Sequence, residues 1–212
     1  MRLYTFWRSS AAFRARIALN LKGLRYESVA KRLVRDEHRA AEFLRLNPQG
    51  LIPALEDDGF VLGQSLGIIE YLDETHPEPP LLPPDARGRA VVRSLAQAIA
   101  CDIHPLNNLR VLNYLKGPLG QDAAGVERWY QHWIAAGFAG LEELARRHSG
   151  DGRHLYGGSV TLADVCLVPQ LYNARRFHCE LAPYPTLTAI GAALEALPAF
   201  AAARPEAQPD AD

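Results

Sequence analysis

The chain has 212 residues, 48% of them hydrophobic and 22% charged, with Lys+Arg at 23, Asp+Glu at 24 and a formal net charge of -1. That supplies a sizeable core and excludes wholesale disorder, at a length between one large domain and two small ones. Charge is balanced on both sides of residue 80, 11 basic against 11 acidic before it and 12 against 13 after, which argues against a nonspecific grip on nucleic acid.

In chain order, residues 2–6 and 25–29 read as strands around a helix over 11–22, whose Phe13, Ile17, Ala18 and Leu21 suit one face and whose stop is Gly23. Residues 36–46 read as a second helix. Short apolar runs at 53–56 and 60–62 flank Asp57-Asp58-Gly59, a hairpin signal, and Ser65 precedes a helix over 66–74. The order β-α-β-α-β-β-α in about 75 residues is an α/β layered unit.

After Thr75 come HPEPPLLPPD, with five prolines in ten residues, a semi-rigid linker and the natural domain boundary. Beyond it the pattern is helical throughout, over 87–115, 126–147, 161–174 and 185–197, and the Pro- and Ala-rich end after Ala201 is expected to fray. The expected domains are therefore 1–80, α/β, and 86–212, all-α. The longest uncharged run, residues 181–194, is broken by Pro183 and Pro185 and is too short to span a bilayer; the first ten residues lack a signal-peptide core. Cys101, Cys166 and Cys179 are odd in number, with neither a CxxC nor metal-ligand spacing, so the expectation is a cytoplasmic protein with reduced thiols lying in the core or just below the surface, and no metal.

Three places can carry chemistry. Arg8-Ser9-Ser10 lies between a strand and a helix, where hydroxyls and unpaired first-turn N–H groups attract anions and favour a thiolate; simple N-capping is the competing reading. In Asn47-Pro48-Gln49-Gly50-Leu51-Ile52-Pro53, a cis Ile52–Pro53 bond would turn the main chain of Ile52 outward toward a peptide-like ligand. Gln64-Ser65 opens a further helix, a second terminus able to hold a carboxylate. Together they suggest a site for a small anionic peptide. Thr161-Leu162-Ala163-Asp164 reads as a structural capping box, Trp129 and Trp133 as core, and His76, His132, His148 and His154 form no ligand pattern.

The stretches RSSAAFRARIALNLKG, NPQGLIPAL, QSLGIIEYL, CDIHPLNNLRVL and TLADVCLVPQLYNARRF resemble, in order and spacing, the zeta class of the glutathione transferase family. The resemblance covers nearly the whole chain. It implies a thioredoxin-like domain followed by an all-helical glutathione transferase domain, glutathione as cofactor, a small dicarboxylic keto acid as substrate, and a homodimer. By the same resemblance Ser9, followed by Ser10 and Ala11 in the cofactor-binding loop, corresponds to the catalytic serine that hydrogen-bonds the glutathione sulfur. Ile52, before Pro53, pairs with the cysteinyl main chain, Gln64 and Ser65 hold the γ-glutamyl end, and His38 and Gln49 lie at the glycyl end and flank. Asp102 and His104 belong to a stretch near the two-fold interface that can complete the site. Arg8, Asn108, Arg110 and Arg176 fall on the substrate side, with Arg8 and Arg176 the choices for gripping carboxylates.

The implied reaction is cis–trans isomerisation of maleylacetoacetate to fumarylacetoacetate in homogentisate degradation. The alternatives are maleylpyruvate isomerisation in gentisate degradation, a broader transferase acting on α-haloacids, and a binding protein without turnover. One departure bears on them: members of the class often read Ser-Ser-Cys-Ser where this chain has Ser9-Ser10-Ala11-Ala12. With no cysteine beside the serine, mixed-disulfide chemistry there is ruled out. Isomerisation needs no protein thiol.

Overall fold

The structure, a computed structural model, describes residues 1–211. It divides into two compact units, Met1–Pro80 joined by the residues from Ala196 onward, and Leu81–Glu195.

The first unit is built on a four-stranded sheet in the order β2-β1-β3-β4, from β1 (Arg2–Thr5), β2 (Glu27–Ala30), β3 (Ala54–Asp57) and β4 (Phe60–Gly63). Strand β1 pairs parallel with β2 through α1 (Ser10–Leu21) and antiparallel with β3, Leu3 lying opposite both Ser28 and Leu55. The β3–β4 hairpin turns at Asp58 and Gly59, both at positive φ (47° and 82°), as the Asp-Gly pair predicts. Helix α1 buries its residues from Ala12 to Leu19 on every side rather than along one stripe, because α3 (Ser65–Thr75) and α9 (Pro198–Ala203) both pack against it. Lys22, just past its end, donates at 2.6 Å to both Asp73 and the Pro79 carbonyl, which fastens the proline-rich stretch to this unit.

Three sequence expectations are corrected here. Residues 36–46 do not form one helix: Asp36 takes a left-handed φ of 54°, and the stretch breaks into 3₁₀ turns followed by α2 (Ala41–Leu46). The segment from Ala196 packs with the first unit, against the expectation of a second domain running to residue 212. Residues 202–211 do not fray, since Arg16 Nε donates to the Ala203 carbonyl at 3.1 Å, Asn20 Nδ2 to that of Ala199 at 3.0 Å, and Trp7 N–H to Asp210 at 2.9 Å.

The second unit contains α4 (Ala86–Gln97), α5 (Leu109–Lys116), α6 (Ala123–His148), α7 (Leu162–Arg176) and α8 (Pro185–Glu195). Residues 87–115 are not one helix either. After α4 the chain widens into a π-type turn over Ala98–Ile103 and tightens into a 3₁₀ turn over His104–Asn107, around Pro105, whose missing N–H and ring interrupt the helix ladder. Cys101 is exposed on that turn, not a core residue, while Cys166 is buried and Cys179 half-buried. Trp129 and Trp133 are half-buried and meet edge-on, 5.7 Å between centroids.

Two buried carboxylates cap helices in this unit. Glu142 accepts the N–H groups of Thr186 and Leu187 at 3.0 Å, at the start of α8. Asp164, with no exposed surface, accepts from Leu155 N–H, Thr161 N–H and the Thr161 hydroxyl, each at 2.8 Å. Burial pushes its carboxyl above the usual range, and the three donors oppose that. The capping-box reading thus holds, and the carboxylate also ties in the irregular segment before α7. Asp164→Ala leaves buried donors unpaired and is expected to cost about 2–4 kcal/mol, a fall in Tm on the order of 4–16 °C by calorimetry, with Asp164→Asn less damaging.

Candidate active site

The site in the first unit begins at the loop from β1 into α1. Ser9 sits at the N-cap of α1 in extended conformation, and its Oγ accepts Ala12 N–H at 3.3 Å. Capping uses a lone pair and leaves the hydroxyl proton available to a ligand, so the two readings of this serine are compatible. Ser10 is buried as the first helical residue and Ala11 is half-buried beside it. Arg8 lays its guanidinium over the Trp7 ring, 4.9 Å from the centroid.

The Ile52–Pro53 peptide is cis, as the sequence suggests. Pairing of β3 starts at Ala54, and among the described residues no hydrogen bond takes up the main chain of Ile52. Its N–H and C=O therefore form a short edge suited to a peptide. Gly50 takes a left-handed φ of 59° in a tight place: a Cβ would stand 3.1 Å from the Leu44 side chain and 3.3 Å from the His38 carbonyl. That close approach sets the 3₁₀ turn of His38 against the loop carrying Gln49. His38 is buried, its Nδ1 has no partner among the described residues, and burial lowers its pKa. At neutral pH the ring is uncharged, able to donate one hydrogen bond but not to act as a cation.

Gln64 caps α3 at a φ of 65°, a conformation L-residues seldom hold, and its Nε2 donates to Gln49 Oε1 at 2.9 Å. Two residues picked out separately in the sequence thus meet as an exposed amide pair. Ser65 follows as the first residue of α3, buried, and its hydroxyl accepts from Arg14 Nη1 at 3.4 Å. Arg14 is a residue of this site that none of the sequence motifs singles out. Its signal was available: Arg14 and Arg16 are the only charges in the apolar run from Ala11 to Leu21, and a charge there is either exposed or held by something. Here both are buried.

The remaining candidates belong to the second unit. Asp102 is exposed on the π-type turn and His104 half-buried after it. Asn108 caps α5, its Oδ1 accepting Arg110 N–H at 3.1 Å, and Arg110 is exposed. Arg176 ends α7, exposed, with its guanidinium 5.1 Å from the Phe177 ring centre. Phe177 stacks on Tyr130, centroids 3.6 Å apart and rings 9° from parallel. Burial raises the Tyr130 phenol far above its usual range, and it stays neutral. Burial also raises Cys179 to about 11, which makes it a poor nucleophile. Among the described residues no cluster of His, Cys, Asp or Glu is arranged to hold a metal, and no helix is long and apolar enough to cross a membrane.

Comparison with known proteins shows the family. Residues 3–80 match the family model described as glutathione S-transferase, N-terminal domain, and residues 127–202 match the glutathione S-transferase C-terminal domain. The chain is 56% identical over 211 residues to a probable maleylacetoacetate isomerase of Vibrio cholerae, covering 99% of this chain and 97% of that one. A holo structure of a bacterial zeta-class maleylpyruvate isomerase superposes with a TM-score of 0.98 at 50% identity, covering all of both chains. A maleylacetoacetate isomerase of Methylobacterium extorquens, solved with malonate and glutathione, superposes at 0.96 with 42% identity, again covering both chains fully. An α/β unit with a serine at the start of its first helix, followed by a helical unit, together with these likenesses, places the chain in the glutathione S-transferase family, in its zeta class.

Proposed function

We propose that this protein is a glutathione-dependent cis–trans isomerase that converts maleylacetoacetate to fumarylacetoacetate, a step of aromatic amino-acid (homogentisate) breakdown. The observation that carries the reading is the Ser9 hydroxyl at the start of α1, in the same unit as the open Ile52 edge and the start of α3. These groups fit the tripeptide: a main-chain edge for its cysteinyl residue, the Ser65 hydroxyl and α3 N-terminus for its γ-glutamyl carboxylate, and Gln49, Gln64 and His38 around them. Ser10 and Ala11 bring first-turn N–H groups beside the sulfur position.

Glutathione, when bound, supplies the thiolate that adds to the maleyl double bond, leaves a single bond free to rotate, and departs again. Ser9 donates its hydroxyl proton toward that sulfur, and the α1 terminus adds a favourable field. The contribution is needed because a thiol near its reference pKa of ~8.5 is only a few per cent ionised at neutral pH. Arg8 and Arg176 hold the substrate carboxylates, to which a planar guanidinium fork is suited, and Arg110 and the Asn108 amide group assist. The stacked Tyr130 and Phe177 rings give Arg176 a firm base.

Maleylpyruvate presents a similar pair of carboxylates on a shorter chain, and the likeness to a maleylpyruvate isomerase keeps it as the second substrate to assay. Action on α-haloacids has no comparable support. We further propose a cytoplasmic homodimer, with Asp102 and His104 near its two-fold axis; C₂ pairing is the commonest oligomer, and Phe60, Tyr114 and Leu119 leave apolar surface exposed.

Purified protein should isomerise the maleyl keto acid only with glutathione present and without consuming it; equal turnover without the tripeptide would refute the mechanism. Ser9→Ala should cut the rate at neutral pH by about 10²–10³, with partial recovery as pH rises. An unchanged pH–rate profile moves the role elsewhere. Arg176→Ala should raise KM for the maleyl acid roughly ten- to a hundred-fold while hardly altering glutathione affinity, and Arg176→Lys should restore only part. A normal KM in Arg176→Ala assigns the carboxylate to another residue. Light scattering should return twice the chain mass of 23.4 kDa.

A further inference from the structure

The loop bearing Ser9 is held by groups far away in sequence. Asp210 Oδ2 accepts Trp7 N–H at 2.9 Å, and Arg16 Nη2 donates to the Trp7 carbonyl at 2.9 Å, so both main-chain groups of Trp7 are fixed. Arg16 Nη1 also reaches the Phe6 carbonyl at 3.4 Å, and that same oxygen accepts Ser9 N–H at 3.0 Å. Through Nε, Arg16 holds the Ala203 carbonyl at 3.1 Å. The last described residues are thus hydrogen-bonded to the main chain two positions before Ser9. The contact is an awkward source of stability, because Asp210 Oδ1 is buried with no partner among the described residues.

We propose that Asp210 is a positioning residue for catalysis, fixing through Trp7 the orientation in which Ser9 offers its proton to the glutathione sulfur. The inference rests on the reading of Ser9 given above. It adds that the reaction depends on a residue that touches neither cofactor nor substrate. Around the loop the charged groups are Arg8 over Trp7, Arg16 on α1, and Asp210 itself, with Tyr26 close enough to Arg16 to act on it. Deleting an anion from this surrounding lowers the pKa of a nearby thiol, whereas loosening its donor raises it. The two effects have opposite signs, and the experiment reads that sign.

The ionisation of bound glutathione, followed by ultraviolet thiolate absorbance against pH, is compared in wild type, Asp210→Ala, Asp210→Asn and Asn20→Ala. Amide hydrogen exchange over residues 8–12 is measured on the same proteins without glutathione. Asp210→Ala should raise the thiol pKa by about one unit, a roughly tenfold loss of thiolate at neutral pH, and speed exchange in the loop by a similar factor. Asp210→Asn keeps an oxygen for Trp7 N–H and should stay within about twofold of wild type. Asn20→Ala releases α9 at Ala199 without touching the loop, and should lower Tm while leaving thiol ionisation unchanged. An unchanged or lowered thiol pKa in Asp210→Ala overturns the proposal, as does an equal rise in Asn20→Ala, which would mark a general loosening. A Ser9→Ala variant separates the levels: if it raises the thiol pKa and Asp210→Ala does not, only the positioning role falls; if it has no effect, the reading of Ser9 falls with it.

Discussion

The buried guanidinium of Arg16 is the interaction on which the first unit depends. It has no exposed surface, and burial pushes its pKa down to about 10, so it remains charged at neutral pH. A buried cation is costly unless its donors are met. Arg16 meets them with four oxygens, those of Thr5 Oγ1, Phe6, Trp7 and Ala203, in place of a bidentate carboxylate. The four oxygens lie on three parts of the frame: Thr5 at the end of β1, Phe6 and Trp7 in the loop into α1, and Ala203 at the end of α9. The planar fork sets their mutual geometry, which a lysine could not do.

The neighbouring Arg14 applies the same physics at the other end of the site, behind Ser65. Two arginines two positions apart would point to different sides of an exposed helix. Inside a helix buried all round, each finds polar groups on a different neighbour. The candidate site is consequently backed by fixed positive charge, which suits a cofactor and a substrate that both carry carboxylates.

Much of this was legible because some local chemistry has few alternatives. Asp-Gly between apolar runs allows little but a tight hairpin, five prolines in ten residues allow neither helix nor central strand, and a serine before a helical run caps it. The Ile52–Pro53 edge and the Gln64-Ser65 helix start followed from the same kind of reasoning. The misses are tertiary. Nothing local in residues 36–46 announces a left-handed Asp36, and helical periodicity continues through the widened turn at 98–103 because the pattern of burial changes there less than the backbone does. The end after Ala201 has the composition of a frayed terminus; only its partners, Arg16, Asn20 and Trp7, make it ordered, and they lie about 180 residues or more earlier in sequence. The Gln49–Gln64 pair is of the same kind, two unremarkable amides until the fold brings them together.

That the segment from Ala196 belongs with the first unit bears on how the chain is made. Synthesis delivers residues 1–80 first, then the whole helical unit, and only then the residues that close over α1. Domains that are continuous in sequence can fold as they leave the ribosome. Here the nascent first unit holds Arg16 with one of its four acceptors not yet made and Trp7 N–H still waiting for its carboxylate. The sheet can form early, whereas the serine loop reaches its final order only after the residues from Ala196 onward have been made, once the helices that precede them in sequence already exist.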